Sequence, residues 1–129
     1  MPAVNLYKEE IKMKILQAYA IINEASNTNA LKGIASKFEN LDIHYVTDIE
    51  NIVAGMGIQN FQLLILDEGL PDEDIKKLHR IVELLHPDAV VSEFNLANED
   101  YILYKLSGLM LRWEEAHSDG KINFIDNPL

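Results

Sequence analysis

Short apolar runs alternate with amphipathic stretches along the chain. Apolar runs are typical of buried strands, and apolar residues at helical spacing are typical of helices that pack on one side. The predicted strands cover residues 13–22, 42–47, 61–66, 89–94 and 121–126. The predicted helices cover about 30–40, 48–56, 72–86 and 98–117. Strands that alternate with helices favour right-handed crossovers and a parallel sheet between two layers of helices.

This alternation predicts an α/β fold of the flavodoxin-like kind, a three-layer sandwich whose five parallel strands lie in the order 2-1-3-4-5. Residues 13–129 are expected to form this single domain, and residues 1–12 to form a leader that mixes apolar and charged side chains. The turn at residues 23–29 is rich in amides and hydroxyls and holds no glycine, which argues against a dinucleotide-binding loop. A small flavodoxin-like ligand-binding protein remains an open alternative.

Composition and charge narrow the possible functions. The chain has 129 residues, of which 48% are hydrophobic, and this suits one globular domain. Its formal charge of −10 argues against binding to nucleic acid or to an anionic membrane surface. It has no cysteine and no apolar run near the ~20 residues of a membrane span, so we expect a cytoplasmic protein without disulfides.

The clearest candidate for chemistry follows the apolar run at residues 61–66. This run ends in the carboxylate of Asp67, and a turn with Gly69 and Pro71 leads into the next helix. Ligands and reactive groups collect beyond the carboxyl ends of parallel strands. Asp67 is therefore predicted to stand at the functional end of the sheet.

The same segment resembles the phosphoacceptor strand of response-regulator receiver domains. In that family a hydrophobic strand ends in an aspartate and continues through a Leu-Pro-Asp type of turn into a helix. The matching residues here are 63–67, followed by Leu70, Pro71 and Asp72. The resemblance implies a signalling domain in which Asp67 is the candidate phosphoacceptor and a divalent cation assists the transfer.

Other features of the family are missing by this alignment. Tyr19 and Ala20 fall where the family has an acidic pair, and Asn127 falls where it has a lysine. The four histidines lack metal-ligand spacing, so neither a metal nor a cofactor is predicted. Asp67 is therefore expected to cap a turn or a helix. The candidate pocket around Asp67 consists of Tyr19, Glu24, Glu68, Ser92, Asn95 and Asn127.

The helix predicted at residues 98–117 is apolar nearly all round. One stripe would face the core, and a second, with Tyr101, Tyr104 and Leu111, is the candidate interface with another chain. The family's last helix would follow the fifth strand, and the sequence ends too soon to include it. One face of the sheet is then expected to lack a cover, and this predicts a homodimer.

These features predict an atypical receiver-like domain that is not an enzyme. It would bind a protein partner or itself and would not be phosphorylated in the usual metal-dependent way. A conventional phosphoacceptor receiver at Asp67 is the main alternative.

Overall fold

Four parallel strands form one sheet in the order β2-β1-β3-β4. The computed structural model describes residues 14–50 and 60–116. The predicted α/β fold with a parallel sheet is therefore confirmed, with four strands in the described residues. The elements are β1 (Leu16–Ile21), α1 (Asn29–Ala35), β2 (Leu41–Val46), β3 (Leu63–Asp67), α2 (Asp72–Leu85), β4 (Val90–Phe94) and α3 (Glu99–Ala116).

Some predicted elements lie outside the described residues. They are the leader at residues 1–12, most of the helix at 48–56, and the fifth strand at 121–126. No helix in the described part is long and apolar enough to cross a membrane.

β3 is central because it is apolar on both sides. All five of its residues are buried, and β1 and β4 flank it. A strand covered on both faces needs a continuous apolar run, whereas a half-buried strand needs only alternation. The apolar run that leads to Asp67 is therefore also the middle of the hydrophobic core.

The helices divide between the two faces of the sheet, and each face has its own hydrophobic cluster. α1 and α3 pack with Leu63 and Ile65 of β3, whereas α2 packs with Leu64 and Leu66. The crossover from β1 to β2 runs in one direction along the sheet, and the crossover from β3 to β4 runs in the other. Crossovers of one hand that run in opposite directions place their helices on opposite faces, as α1 and α2 do here.

The position of α3 corrects the prediction that one face of the sheet lacks a cover. α3 lies beside α1 and covers the face of the sheet that was expected to be open. The prediction assumed that the helix after β4 would share the face of α2 and return to a fifth strand beside β4. Because α3 instead covers the first face, an uncovered sheet face no longer supports a homodimer.

α1 is shorter than the predicted helix. After the helix, hydrogen bonds between residues three apart replace those between residues four apart. They run from Lys37 N to Ile34 O and from Phe38 N to Ala35 O, both at 3.1 Å. The chain then turns, and the Asn40 carbonyl accepts a bond of 2.8 Å from Leu16 N, which sets β2 beside β1. The apolar residue Phe38 is half-buried against the core from the turn, so its spacing looked helical in the sequence.

Candidate functional site

Asp67 ends β3 and is almost fully buried, with 3% of its surface exposed. The strand stops there because the Asp67 carbonyl accepts a bond of 3.0 Å from Leu70 N, which closes a turn. Glu68 and Gly69, both exposed residues, form the outside of this turn. Asp67 therefore stands at the carboxyl end of the central strand, as predicted, with its side chain inside the molecule.

Both carboxylate oxygens of Asp67 accept hydrogen bonds from backbone N–H groups. Gly69 N donates to Oδ1 at 2.8 Å, and Asn23 N donates to Oδ2 at 3.0 Å. The side chain of Asn23 adds a hydrogen bond between the same two turns, because its Nδ2 donates to the Gly69 carbonyl at 2.8 Å. The pair Asp67 and Asn23, which we call the loop clamp, joins the turn after β1 to the turn after β3.

Gly69 leaves the space that the loop clamp needs. A Cβ atom at this position would lie 3.2 Å from Asp67 Oδ1 and 3.4 Å from Ser26 Oγ. The approach to Asp67 Oδ1 is tighter than ordinary van der Waals contact, so any larger residue would press on the carboxylate. Gly69 therefore serves a close approach between the two loops.

A cavity of about 370 Å³ opens above the loop clamp. Glu68 and Asn95 are the two members of the predicted pocket, besides Asp67 itself, that line it. Sequence reasoning missed two further polar residues of the turn after β1. The full lining is Ser26, Asn27, Asp67, Glu68, Gly69, Asn95, Leu96 and Ala97.

The amide side chains at this cavity shape their own loops. Asn27 Oδ1 accepts from Asn29 N at 2.9 Å, and Asn95 Oδ1 accepts from Ala97 N at 3.0 Å. Such bonds from a side chain to the backbone two residues on are typical of Asx turns. The polar character of the cavity thus follows from turn-forming residues at the ends of β1, β3 and β4.

The sheet register moves the site away from Tyr19. Ile21 pairs with Leu66, so the residues level with Asp67 are those just after Ile21 and not Tyr19 or Ala20. The Tyr19 ring instead lies lower on β1, where its centroid is 5.6 Å from that of Phe61. Tyr19 and Ala20 are therefore not level with Asp67, and the residues that are, Ile22 and Asn23, carry no carboxylate either.

Two other predicted pocket residues, Ser92 and Glu24, do not line the cavity. Ser92 is buried within β4 and pairs with Ile65, short of the end of the sheet. Glu24 is exposed in the turn after β1 and is not among the residues that line the cavity. Asn127 lies outside the described residues.

The charges at the site do not form a cation-binding cluster. Among residues 14–50 and 60–116, no group of three or more histidine, cysteine, aspartate or glutamate side chains could hold a metal ion. Asp67 and Glu68 are the carboxylates that line the cavity, and the lining described here includes neither lysine nor arginine. The described residues thus offer no set of ligands for the cation that assists phosphoryl transfer. The described lining also offers no positive side chain to pair with a phosphoryl group.

The predicted interface residue Tyr101 takes part in a different cluster, at the outer edge of β4. Lys105 Nζ donates to the Glu93 carbonyl and, at 2.9 Å, to Tyr101 Oη. His79 of α2 approaches the Glu93 carboxylate from the other face, at 3.3 Å. We call Glu93, His79, Tyr101 and Lys105 the edge clasp. Tyr101 is therefore half-buried and bound within its own chain.

The other two predicted interface residues point outward from α3. Tyr104 is 81% exposed and Leu111 is 56% exposed. The first predicted stripe was Ile102, Leu106, Leu109 and Trp113. The first three are buried in the core as predicted, Trp113 is partly buried against it, and Met110 is buried as well.

Comparison with known proteins gives no family: no family model, no curated protein and no solved structure matches this chain. The likeness to receiver domains therefore remains a resemblance carried by the residues around Asp67.

Proposed function

We propose that this chain is an atypical receiver-like domain that acts by binding another protein, and that Asp67 holds its loops together instead of accepting a phosphoryl group. The observation that carries this proposal is the bonding of Asp67. Both of its oxygens accept backbone N–H groups, from Gly69 and from Asn23, in a buried position. The strand order β2-β1-β3-β4 agrees with the first four strands of a flavodoxin-like sheet.

Phosphoryl transfer to Asp67 would require the loop clamp to break. The attacking oxygen must be free to approach phosphorus in line, with its negative charge and that of the phosphoryl group compensated. Here each oxygen already has a donor, and the residues level with Asp67 just after β1 are Ile22 and Asn23, neither of which is acidic. These features favour a binding role without catalysis. The lack of cysteine favours a cytoplasmic location for the domain.

Intact-mass measurement after incubation with acetyl phosphate and Mg²⁺ tests the proposal. We expect no phosphoryl adduct on the wild-type chain, because no cation is held beside a buried and doubly bonded carboxylate. Asp67→Asn is the matched control, since it removes the nucleophile with little change in size. An adduct that forms on the wild type and is absent from Asp67→Asn would establish the conventional phosphoacceptor instead.

A small-molecule site is the second candidate function, and the cavity above the loop clamp favours it. Its volume of about 370 Å³ and its amide and hydroxyl lining suit a small polar ligand at the carboxyl ends of the strands. Native mass spectrometry of the purified chain with added flavin or nucleotide tests it. Stoichiometric binding that is lost on filling the cavity with Ala97→Trp would support this candidate over the first.

A further inference from the structure

A line of outward-facing side chains runs along α3, with carboxylates at both ends and apolar residues between them. We define this outer stripe as Asp100, Tyr104, Leu111 and Glu115, all of which are exposed. Their spacing places them on one side of the helix, opposite the buried residues. The outer stripe thus presents two large apolar groups to solvent where a helix of a single-domain protein is normally polar.

The middle of the outer stripe consists of small residues, so another chain could approach the helix closely there. Gly108 lies between Tyr104 and Leu111, and a Cβ atom added there would meet only Arg112 Nη1, at 3.7 Å. Ser107, the other residue in the middle, is small and exposed. The side chains of Tyr104 and Leu111 therefore stand on either side of a shallow notch.

The charges at the ends of the outer stripe argue against a second copy as the occupant. If two copies of α3 packed antiparallel, Asp100 of one would face Glu115 of the other. If they packed parallel, each carboxylate would face its own counterpart. Both arrangements bring like charges together in a chain whose formal charge is already −10, and such contacts oppose association. Lys105 is bound to the carbonyl of Glu93. Arg112, which lies beside Gly108, is then the remaining cation of α3 against four carboxylates, those of Glu99, Asp100, Glu114 and Glu115, so the balance of charge on the helix stays negative.

We propose that the outer stripe docks a basic amphipathic helix of another protein. Such a helix would place two apolar residues against Tyr104 and Leu111 and a lysine or arginine near each of Asp100 and Glu115. This inference rests on the proposed function, because it names the kind of partner that the domain binds. One helix laid on one helix buries a small area, so the contact belongs to the transient class and responds to salt.

Fluorescence anisotropy with two labelled synthetic helical peptides tests this proposal on the full chain. Both peptides carry the same two leucines, two helical turns apart, and they differ only in whether lysines or glutamates flank them. We expect the lysine peptide to bind roughly tenfold or more tightly than the glutamate peptide, and to weaken as salt is added. The double variant Tyr104→Ser/Leu111→Ser is expected to lose this binding by a similar factor.

Leu84→Ser is the matched control, because Leu84 is 77% exposed on α2 and its variant should bind the lysine peptide like the wild type. Equal binding of the two peptides, or binding of neither, would overturn the proposal. So would a wild-type dimer in sedimentation that the double variant converts to a monomer, since a second copy would then be the occupant. None of these outcomes changes the acetyl phosphate result, so failure of this inference is distinguishable from failure of the proposed function.

Discussion

At the scale of single residues, the central point is that a buried carboxylate must have donors. Burying an ionised carboxylate is costly unless hydrogen bonds compensate for the lost water. Asp67 obtains its donors from two loops, because Asn23 N and Gly69 N both point at its oxygens. Asp67 resembles a phosphoacceptor in the sequence, whereas in the structure its carboxylate connects the turn after β1 to the turn after β3 by hydrogen bonds.

We expect Asp67→Ala to lower the free energy of unfolding by about 1–3 kcal/mol, because it leaves two backbone N–H groups without their acceptor. Urea denaturation followed by circular dichroism measures this loss. Glu68→Ala is the control, since the neighbouring carboxylate is exposed and its removal should change stability by no more than about 0.5 kcal/mol. If the two variants were equally stable, the hydrogen bonds of the loop clamp would make no measurable contribution to the free energy of unfolding.

The sequence predicted where Asp67 lies but not what it touches. A continuous apolar run followed by a turn is a local signal, so it placed Asp67 at the end of a strand. Asn23 is 44 positions away in the chain, and only the pairing of β1 with β3 brings its N–H to the carboxylate. The same register moved Tyr19 out of the site, because local pattern does not specify how two strands align.

At the scale of elements, periodicity predicted which side of each helix is buried but not which layer the helix joins. The stripe with Ile102 and Leu106 was correctly expected to face a core. Whether that core lay beside α1 or beside α2 depends on a crossover, and this cannot be read from spacing within α3. An uncovered face was predicted for this reason, although α3 covers it.

The central strand gives the test at this scale. Leu64 is fully buried on the α2 side of β3, so Leu64→Ala should lower the free energy of unfolding by ~2–5 kcal/mol, through lost burial and a residual cavity. Equilibrium denaturation in urea measures it. Leu84→Ala removes the same atoms from an exposed position on α2, and we expect a change within ~0.5 kcal/mol. A Leu64 variant as stable as this control would show that β3 is not the core strand.

At the scale of the whole molecule, β4 is an edge strand of the sheet that residues 14–50 and 60–116 form. Val90 N bonds to the Gln62 carbonyl, and the Phe94 carbonyl accepts from Glu68 N, so these two residues of β4 face β3. Successive residues of a parallel strand point their backbone groups to alternate sides. Glu93 comes directly before Phe94, so its carbonyl points outward, away from β3. An outward-facing row of backbone groups invites pairing with another strand, and proteins often block such rows with lysine or with charged side chains.

The edge clasp supplies this protection from both faces of the sheet. Lys105 and Tyr101 approach the Glu93 carbonyl from α3, and His79 approaches the Glu93 carboxylate from α2. Lys105 is also held over the Phe94 ring, with Nζ 5.2 Å from its centroid. A further strand beside β4 would have to displace these groups at Glu93. The clasp therefore protects β4 where it forms the edge of the sheet in the described residues.

Removing the edge clasp should make the chain associate through β4. In Lys105→Met the outward carbonyl of Glu93 loses its charged donor and the edge gains an apolar side chain, so we expect oligomers whose fraction rises with protein concentration. Light scattering across a dilution series measures this, and circular dichroism verifies that the variant is folded. Lys76→Met makes the same chemical change at an exposed position on α2, and it should scatter like the wild type. Tyr101→Phe, which removes only the hydroxyl that accepts from Lys105, should have a weaker effect in the same direction. If Lys105→Met remained as dispersed as Lys76→Met at every concentration, the β4 edge would owe its protection to something other than this cluster.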